Sequence, residues 1–577
     1  MKNPGGTPLD TCERVRVWTA FDRPQNRGSR MTIMRGLLTA WLLLLVSVSA
    51  GANLTQTTGS RIRASVTVTP TEPTTVDEAA LFAFDDLSIP FANNLVLTMH
   101  PPRKHPGNPV LPLGKRGEPD EFKIDYTGTV LRHAGKFKLW YIAVSRGGYL
   151  HPSSGRDIDF SAWRIAYAES DDGVRWTKPK LGIEEFRGSK DNNLIGLPEG
   201  FRGYNAVVLH DPDERDPSRQ FKLLALLTQF GRYKTSTGKS AYVPLYSADG
   251  LRWRVAEEVL QPDGKTIAAE NLARMEGSGI YKWKGLYFLS GQGALASTRE
   301  IYGRYVQSVR SPDLLHWSSM PVMAFARPAQ YRRPAKPDPG GEADAVEQTH
   351  LGVSVWNRGN VLLGLTGMWH GTGDWNTTTH DLQFLVSNDG VHFREPVPDF
   401  VFAAVGQDGR DWDVGGLTQG QGFENVGDET YMWYGQMDQR QGTFTGRPWK
   451  SEGGVGLLVL ERDRFGSLST RDPKKPAGFI TSDLALDRAG RIWVNAAGLS
   501  ARSSLRVELL DRFERPIKNY SGGNAARVER SGLRVPIVWP GHDRIDDIRE
   551  PFKIRVAFEG DERGAIEFFA LYLEAVP

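Results

Sequence analysis

Cysteine is nearly missing from the 577 residues: the single one, Cys12, stands ahead of an apolar stretch that reads as an export signal. One thiol rules out an internal disulfide framework and any thiolate cluster for a metal. Long apolar runs are scarce too. The main one, Leu37 to Val48, is about twelve residues, short of the ~20 that a membrane-spanning helix needs. No long basic run follows it, and 71 Lys and Arg oppose 68 Asp and Glu. That balance argues against nucleic acid as a main partner, because phosphate-binding domains gather positive charge on one face. Between about residues 123 and 465 no useful helical periodicity appears.

What is present points outward from the cell and toward strands. Arg35, the apolar run and the small residues Ala50-Gly51-Ala52 read as a signal peptide spanning about Met31–Ala52, so a secreted or periplasmic location is expected, with no membrane span after cleavage. Residues 1–30 read as neither fold nor signal, which puts the expected start at Met31 or Met34. Sixteen Trp, 17 Tyr and 62 Gly suit many short strands joined by glycine turns. Flat aromatic faces also suit sugar rings, although most of these Trp are expected to fill cores.

Internal repetition decides the expected fold. Ser170-Asp171-Asp172-Gly173-Val174-Arg175-Trp176 recurs as Ser247 to Trp253, Ser311 to Trp317 and Ser387 to Phe393, with a degenerate copy at Val455 to Phe465. Each copy follows a β-type run and reads as a tight turn whose aromatic packs back on the sheet. A second repeat, a turn and then a strand, alternates with it: Gly135 to Tyr141, Arg219 to Leu224, Lys284 to Leu289, Gly359 to Leu363 and Asp428 to Tyr434. Units of roughly 65–80 residues with about four strands each match propeller blades. The prediction is all-β: a five-bladed β-propeller over 85–465, then a C-terminal β-sandwich over 477–577. Ahead of them stand an extension with the signal (1–52) and a loose Thr/Pro-rich lead-in (53–84).

In a propeller the innermost strand of each blade starts at the ligand. The residues at those starts are Asp125, Asn205, Glu276, His350 and Glu424, one per blade. Opposed carboxyls are the minimum for glycoside hydrolysis, one giving a proton to the leaving oxygen and the other activating water or attacking the sugar. Trp369, His370, Asp374 and Trp375 (MWHGTGDW) read as a rim loop of sugar-stacking types. An Asp before a strand is more often a turn residue, and a His on a strand more often a satisfied core residue, so position and not residue type carries these choices. No metal-ligand spacing appears, and no cofactor is expected.

Glu276 to Leu289 (EGSGIYKWKGLYFL) resembles the third blade of family 43 glycoside hydrolases, and Asp125 to Leu131 (DYTGTVL) their first. The resemblance implies Glu276 as general acid and Asp125 as general base or nucleophile. Val455 to Phe465 and the C-terminal strands resemble family 32, and Leu97 to Leu111 with Tyr167 to Asn193 resemble secreted bacterial family-32-like proteins. Some related propellers hold calcium, but nothing in this chain demands it. Asn205 departs from the pattern, which places a third acidic residue in blade two, and Asp211 (HDPDERDP) reads as structural. The function expected is a secreted glycoside hydrolase acting on a glycan or oligosaccharide; the alternative is a non-catalytic carbohydrate-binding propeller. The Ser-x-Asp-Gly-x-x-Trp turns also resemble those of sialidases, but no arginine cluster with a tyrosine nucleophile can be placed. Sugar, linkage and oligomeric state are not legible.

Overall fold

The computed structural model describes residues 78–576, apart from 147–162, 204–205, 228–231, 271, 274, 294–303, 328–346, 372–373, 442–444, 446, 448–449 and 451. The signal peptide and most of the lead-in therefore lie outside the described residues, as does Asn205. From Pro73 onward the chain is one compact unit. It is all-β: among the described residues the only helices are single 3-10 turns, and none is long and apolar enough to cross a membrane.

Antiparallel meanders of three to five strands succeed one another along the chain. The first sheet begins with Lys123–His133, Lys136–Val144 and Trp163–Ser170. The second is built on Phe221–Leu227 and Ala241–Ser247, with Val208–His210 on its inner side. The third runs from Glu276–Trp283 through Leu286–Gly293 and Tyr305–Ser311 to Val322–Phe325, and the fourth from Gln348–Asn357 through Leu362–His370 and Thr379–Ser387 to Val401–Ala403. The fifth holds Leu417–Val426, Glu429–Gln436 and Val455–Glu461, edged by Arg103–Lys104. The first strands of these sheets lie side by side in a circuit. Lys123–His133 neighbours Val208–His210, which neighbours Glu276–Trp283, then Gln348–Asn357, then Leu417–Val426, which returns to Lys123–His133 through a parallel pair at Gln421–Thr129.

The repeated turns lock neighbouring sheets together. In the first copy the Asp172 carboxylate accepts from the backbone N–H of Val174 and Arg175 (2.9 and 2.7 Å), and Ser170 Oγ accepts from Gly173 N–H (2.9 Å). Gly173 and Gly250 have φ of 76° and 77°, and a Cβ on either would meet Trp433 or Trp140 of another sheet at 2.9 or 2.6 Å. Those indoles donate to the carbonyls of the same glycines, Trp433 to Gly173 and Trp140 to Gly250. Side chainless, left-handed positions are thus needed twice over. Because their carboxylates are already saturated by backbone donors, these aspartates are turn builders.

The last hundred residues form two antiparallel sheets over a shared core of Leu505, Val507, Trp539, Val556, Phe558 and Phe568. Here the structure departs from the expected boundaries. Glu78–Phe82 is a regular strand, not loose lead-in, and pairs with Glu567–Ala575; Phe91–Asn93 and Leu95–Met99 pair with Ala477–Ile480 and Gly466–Thr470. Phe82 and Phe84 then pack on Phe384 and Phe465, sharing a core with Tyr572 and the fourth and fifth sheets. Each such fully buried ring contributes ~1.5–3 kcal/mol. Pairing across most of the chain leaves no local signature, which is why Glu78–Phe82 reads as lead-in and the next two strands as part of the propeller.

Candidate functional site

The first strands of the sheets carry a bulge at one common step. Pairing skips between Asp125 and Thr129 in the first sheet, between Gly277 and Gly279 in the third, between His350 and Ser354 in the fourth and between Gln419 and Phe423 in the fifth. Extra residues at such a step bend a strand and re-aim its side chains. The residues at the skip are Asp125, Gly277, His350 and Gln419, with Glu276 one residue before Gly277 at the start of its strand. Glu424, the carboxylate proposed for the fifth sheet, lies past the bulge toward the opposite end of its strand, paired with Tyr431. The equivalent residue is Gln419.

Asp125 is buried, its Oδ1 has no hydrogen-bond partner among the described residues, and Oδ2 is 3.7 Å from Lys123 Nζ. Burial pushes its carboxyl above the ordinary range, with Lys123 opposing. This differs from the ionised carboxylate that the expected role of Asp125 as general base or nucleophile needs. The Glu276 backbone pairs with Gln292 at the strand start; its side chain lies outside the described residues.

The His350 ring stacks on Trp369 (centroids 4.9 Å, 21°) and lies 5.0 Å from His380. Burial first, then Arg304 and Lys123, hold its pKa well below the usual value, so the imidazole is neutral and its Nδ1 lacks a partner. The next residue, Leu351, has φ 61°, a left-handed conformation unusual for leucine, and its N–H donates to Gln292 Oε1 (3.1 Å).

Gln419 Nε2 donates to the carbonyls of His350 (2.8 Å) and Gly352 (2.7 Å), leaving Oε1 unpartnered. Two residues on, Gln421 belongs to the fifth sheet, pairs by backbone with the first, and closes both its amide groups on Ile280 of the third (2.7 and 3.1 Å). Its side chain thus crosses the middle of the circuit and floors the side where Asp125 and His350 lie.

The expected rim loop divides. Trp369 and His370 are strand residues, and Trp369 is fully buried (0%), so it backs His350 rather than offering a free face. Arg304 lies over the Trp369 ring at 4.3 Å. His370 Nδ1 is 2.8 Å from Glu347 and Nε2 is 3.2 Å from Asp381. Burial lowers the pKa of His370, but these two carboxylates lift it to about 9. Asp374 caps a 3-10 turn through Asn376 N–H, and Trp375, buried, meets Trp369 edge-on at 5.1 Å. Among the described residues no group of three or more His, Cys, Asp or Glu side chains is placed to hold a metal ion. Sequence reasoning missed Lys123, Gln419, Gln421 and His380, because glutamines and a lysine inside a strand carry no catalytic signature until the bulge aligns them.

No protein-family model matches the chain, and no curated protein does. Among solved structures it resembles a protein described only as "Glycoside hydrolase" (13% identity, TM-score 0.37, covering 66% of this chain and 95% of that one). It also resembles a β-1,2-mannobiose phosphorylase from Listeria innocua (14%, TM-score 0.38, 64% and 97%) and a glycosyl hydrolase from Bacteroides ovatus (15%, TM-score 0.37, 63% and 95%).

Proposed function

We propose that the chain is an exported carbohydrate-cleaving enzyme: a five-bladed β-propeller, supported by the circuit of five first strands, with a β-sandwich that the N-terminal strands complete. The observation that carries the function is Asp125, a buried carboxyl with an unpartnered oxygen, at the same bulge step as the neutral His350, while Glu276 starts the third sheet's first strand one residue before its bulge. A buried polar atom without a partner costs stability, ~1–3 kcal/mol, and such a cost is retained where a ligand supplies the missing hydrogen bond.

In this reading the two carboxyls flank a glycosidic oxygen. Asp125, whose carboxyl burial holds toward the protonated form, donates the proton to the leaving oxygen; Glu276 acts as base or nucleophile, reversing the roles first expected. His350 and Gln419 orient sugar hydroxyls. The reaction as proposed uses no cofactor. A glycan-release panel tests it with wild type, Asp125→Asn and Glu276→Gln, each also given an aryl glycoside with a good leaving group. Asp125→Asn is expected to keep the aryl glycoside and lose the natural glycan, and Glu276→Gln to lose both. The opposite pattern restores the first assignment, and no release by wild type leaves a sugar-binding module.

A further inference from the structure

A cavity of about 830 Å3 opens beside the fifth sheet, on the side of the circuit where Asp125 lies. Its wall includes Gly453, which pairs with Ile124, the neighbour of Asp125; a Cβ at Gly453 would meet the Ile124 carbonyl oxygen at 2.0 Å. The glycine thus brings the cavity directly against the start of the strand that carries Asp125.

Three cations and two carboxylates line this space. The carboxylates are committed: Arg440 grips Asp408 through both terminal nitrogens (2.6 and 2.8 Å) and Asp438 through Nε (2.8 Å). Arg447 and Lys450 are exposed, and neither makes an ion pair with a described carboxylate. Trp412, half-buried against Tyr434, adds an aromatic wall. Gln436 is 3% exposed; its Nε2 donates to the Val414 carbonyl (2.8 Å), and its Oε1 has no partner. An aromatic wall, a buried amide oxygen without a partner, and two exposed cations outside any ion pair, of which Arg447 also acts on Asp374, match a sugar ring bearing an anionic group.

We propose that this cavity is a subsite for an acidic sugar unit, a carboxylate- or sulfate-bearing ring, next to the proposed cleavage site. It deepens the glycan reading above and rests on it for its place in the reaction, but binding can be read without turnover. The test is calorimetric titration of the full chain with glucuronic acid, glucose 6-sulfate and glucose. Both acidic sugars, or one of them, are expected to bind at least about tenfold tighter than glucose, with affinity falling as salt rises. Whichever binds names the source of the charge. Arg447→Ala/Lys450→Ala is expected to erase the preference, while Asp125→Asn keeps it; both cations are exposed, so the melting temperature serves as the folding control. Equal affinity for glucose, no binding of either acid, or a preference that survives the double substitution overturns the proposal. Acid-selective binding by a chain that releases no sugar keeps this subsite and sinks the enzyme reading instead.

Discussion

The two ends of the first strands differ in how they treat buried polar groups. At the starts, Asp125 Oδ1, His350 Nδ1 and Gln419 Oε1 are buried without partners, as are both nitrogens of His380 on the third strand of the fourth sheet, beside His350. At the hairpin ends, buried charges are saturated. The Asp463 carboxylate accepts from Arg358 Nη2 (3.1 Å), the Tyr572 hydroxyl (2.8 Å) and Asn425 Nδ2 (3.2 Å), and the Asp463 backbone N–H donates to Thr430 Oγ1 (2.9 Å). Asp211 receives Lys282 (2.9 Å) and the Tyr287 hydroxyl. One end ties sheets together through paired charges; the other leaves buried groups unpaired, which the proposed reading assigns to a ligand.

Breaking the saturated end should give the largest effect. Arg358→Ala strands a buried carboxylate and is expected to cost about 3–5 kcal/mol in chemical denaturation. Activity per folded molecule should be retained; a loss under about 1 kcal/mol would mean the ends are not so different. At the open end Asp125→Asn is expected to lower release of the natural glycan by about 10²–10⁴-fold while leaving stability equal or higher. A variant that is both inactive and destabilised by several kcal/mol would make Asp125 structural.

A third test uses pH, because the two aspartates have opposite signs. For Asp463, burial alone would raise the pKa, but Arg358, Tyr572 and Asn425 hold it below the usual value. Its stabilisation is present above the ordinary carboxylate range and lost as pH falls through the depressed native value. For Asp125 the native carboxyl is raised, so the native state holds its proton longer and stability falls as pH climbs from the ordinary carboxylate range through the raised value. Stability-versus-pH curves should lose the second slope in Asp125→Asn alone; an unchanged curve would remove the claim that burial governs Asp125.

His380→Phe keeps the ring between Trp369 (4.9 Å) and His350 and removes two unpartnered nitrogens. It is expected to stabilise by about 1–3 kcal/mol, read as a higher melting temperature. Destabilisation would reveal a partner for the imidazole. The smallest effect is expected at Glu424→Gln. Burial raises that carboxyl, countered by Arg132, Arg462 and Arg358, but it sits past the bulge. Turnover should stay within about twofold, the size of ordinary distant substitutions; a large loss would move the site toward the hairpin end.

The sequence by itself determined the strand repeats, the Ser-x-Asp-Gly turns and the strand starts on which Asp125, Glu276 and His350 stand, because turn chemistry and period-two alternation are local and recur in every unit. Only the tertiary structure decided the rest. Gln419 replaces Glu424 at the ring step because a bulge adds residues that no count from a motif can anticipate. Trp369 turns from rim to backing because burial depends on which sheet stacks against it. Glu78–Phe82 leaves the lead-in for a sheet because its partner, Glu567–Ala575, lies at the far end of the chain, and strand pairing at that separation is fixed by the shared core rather than by any neighbouring residue.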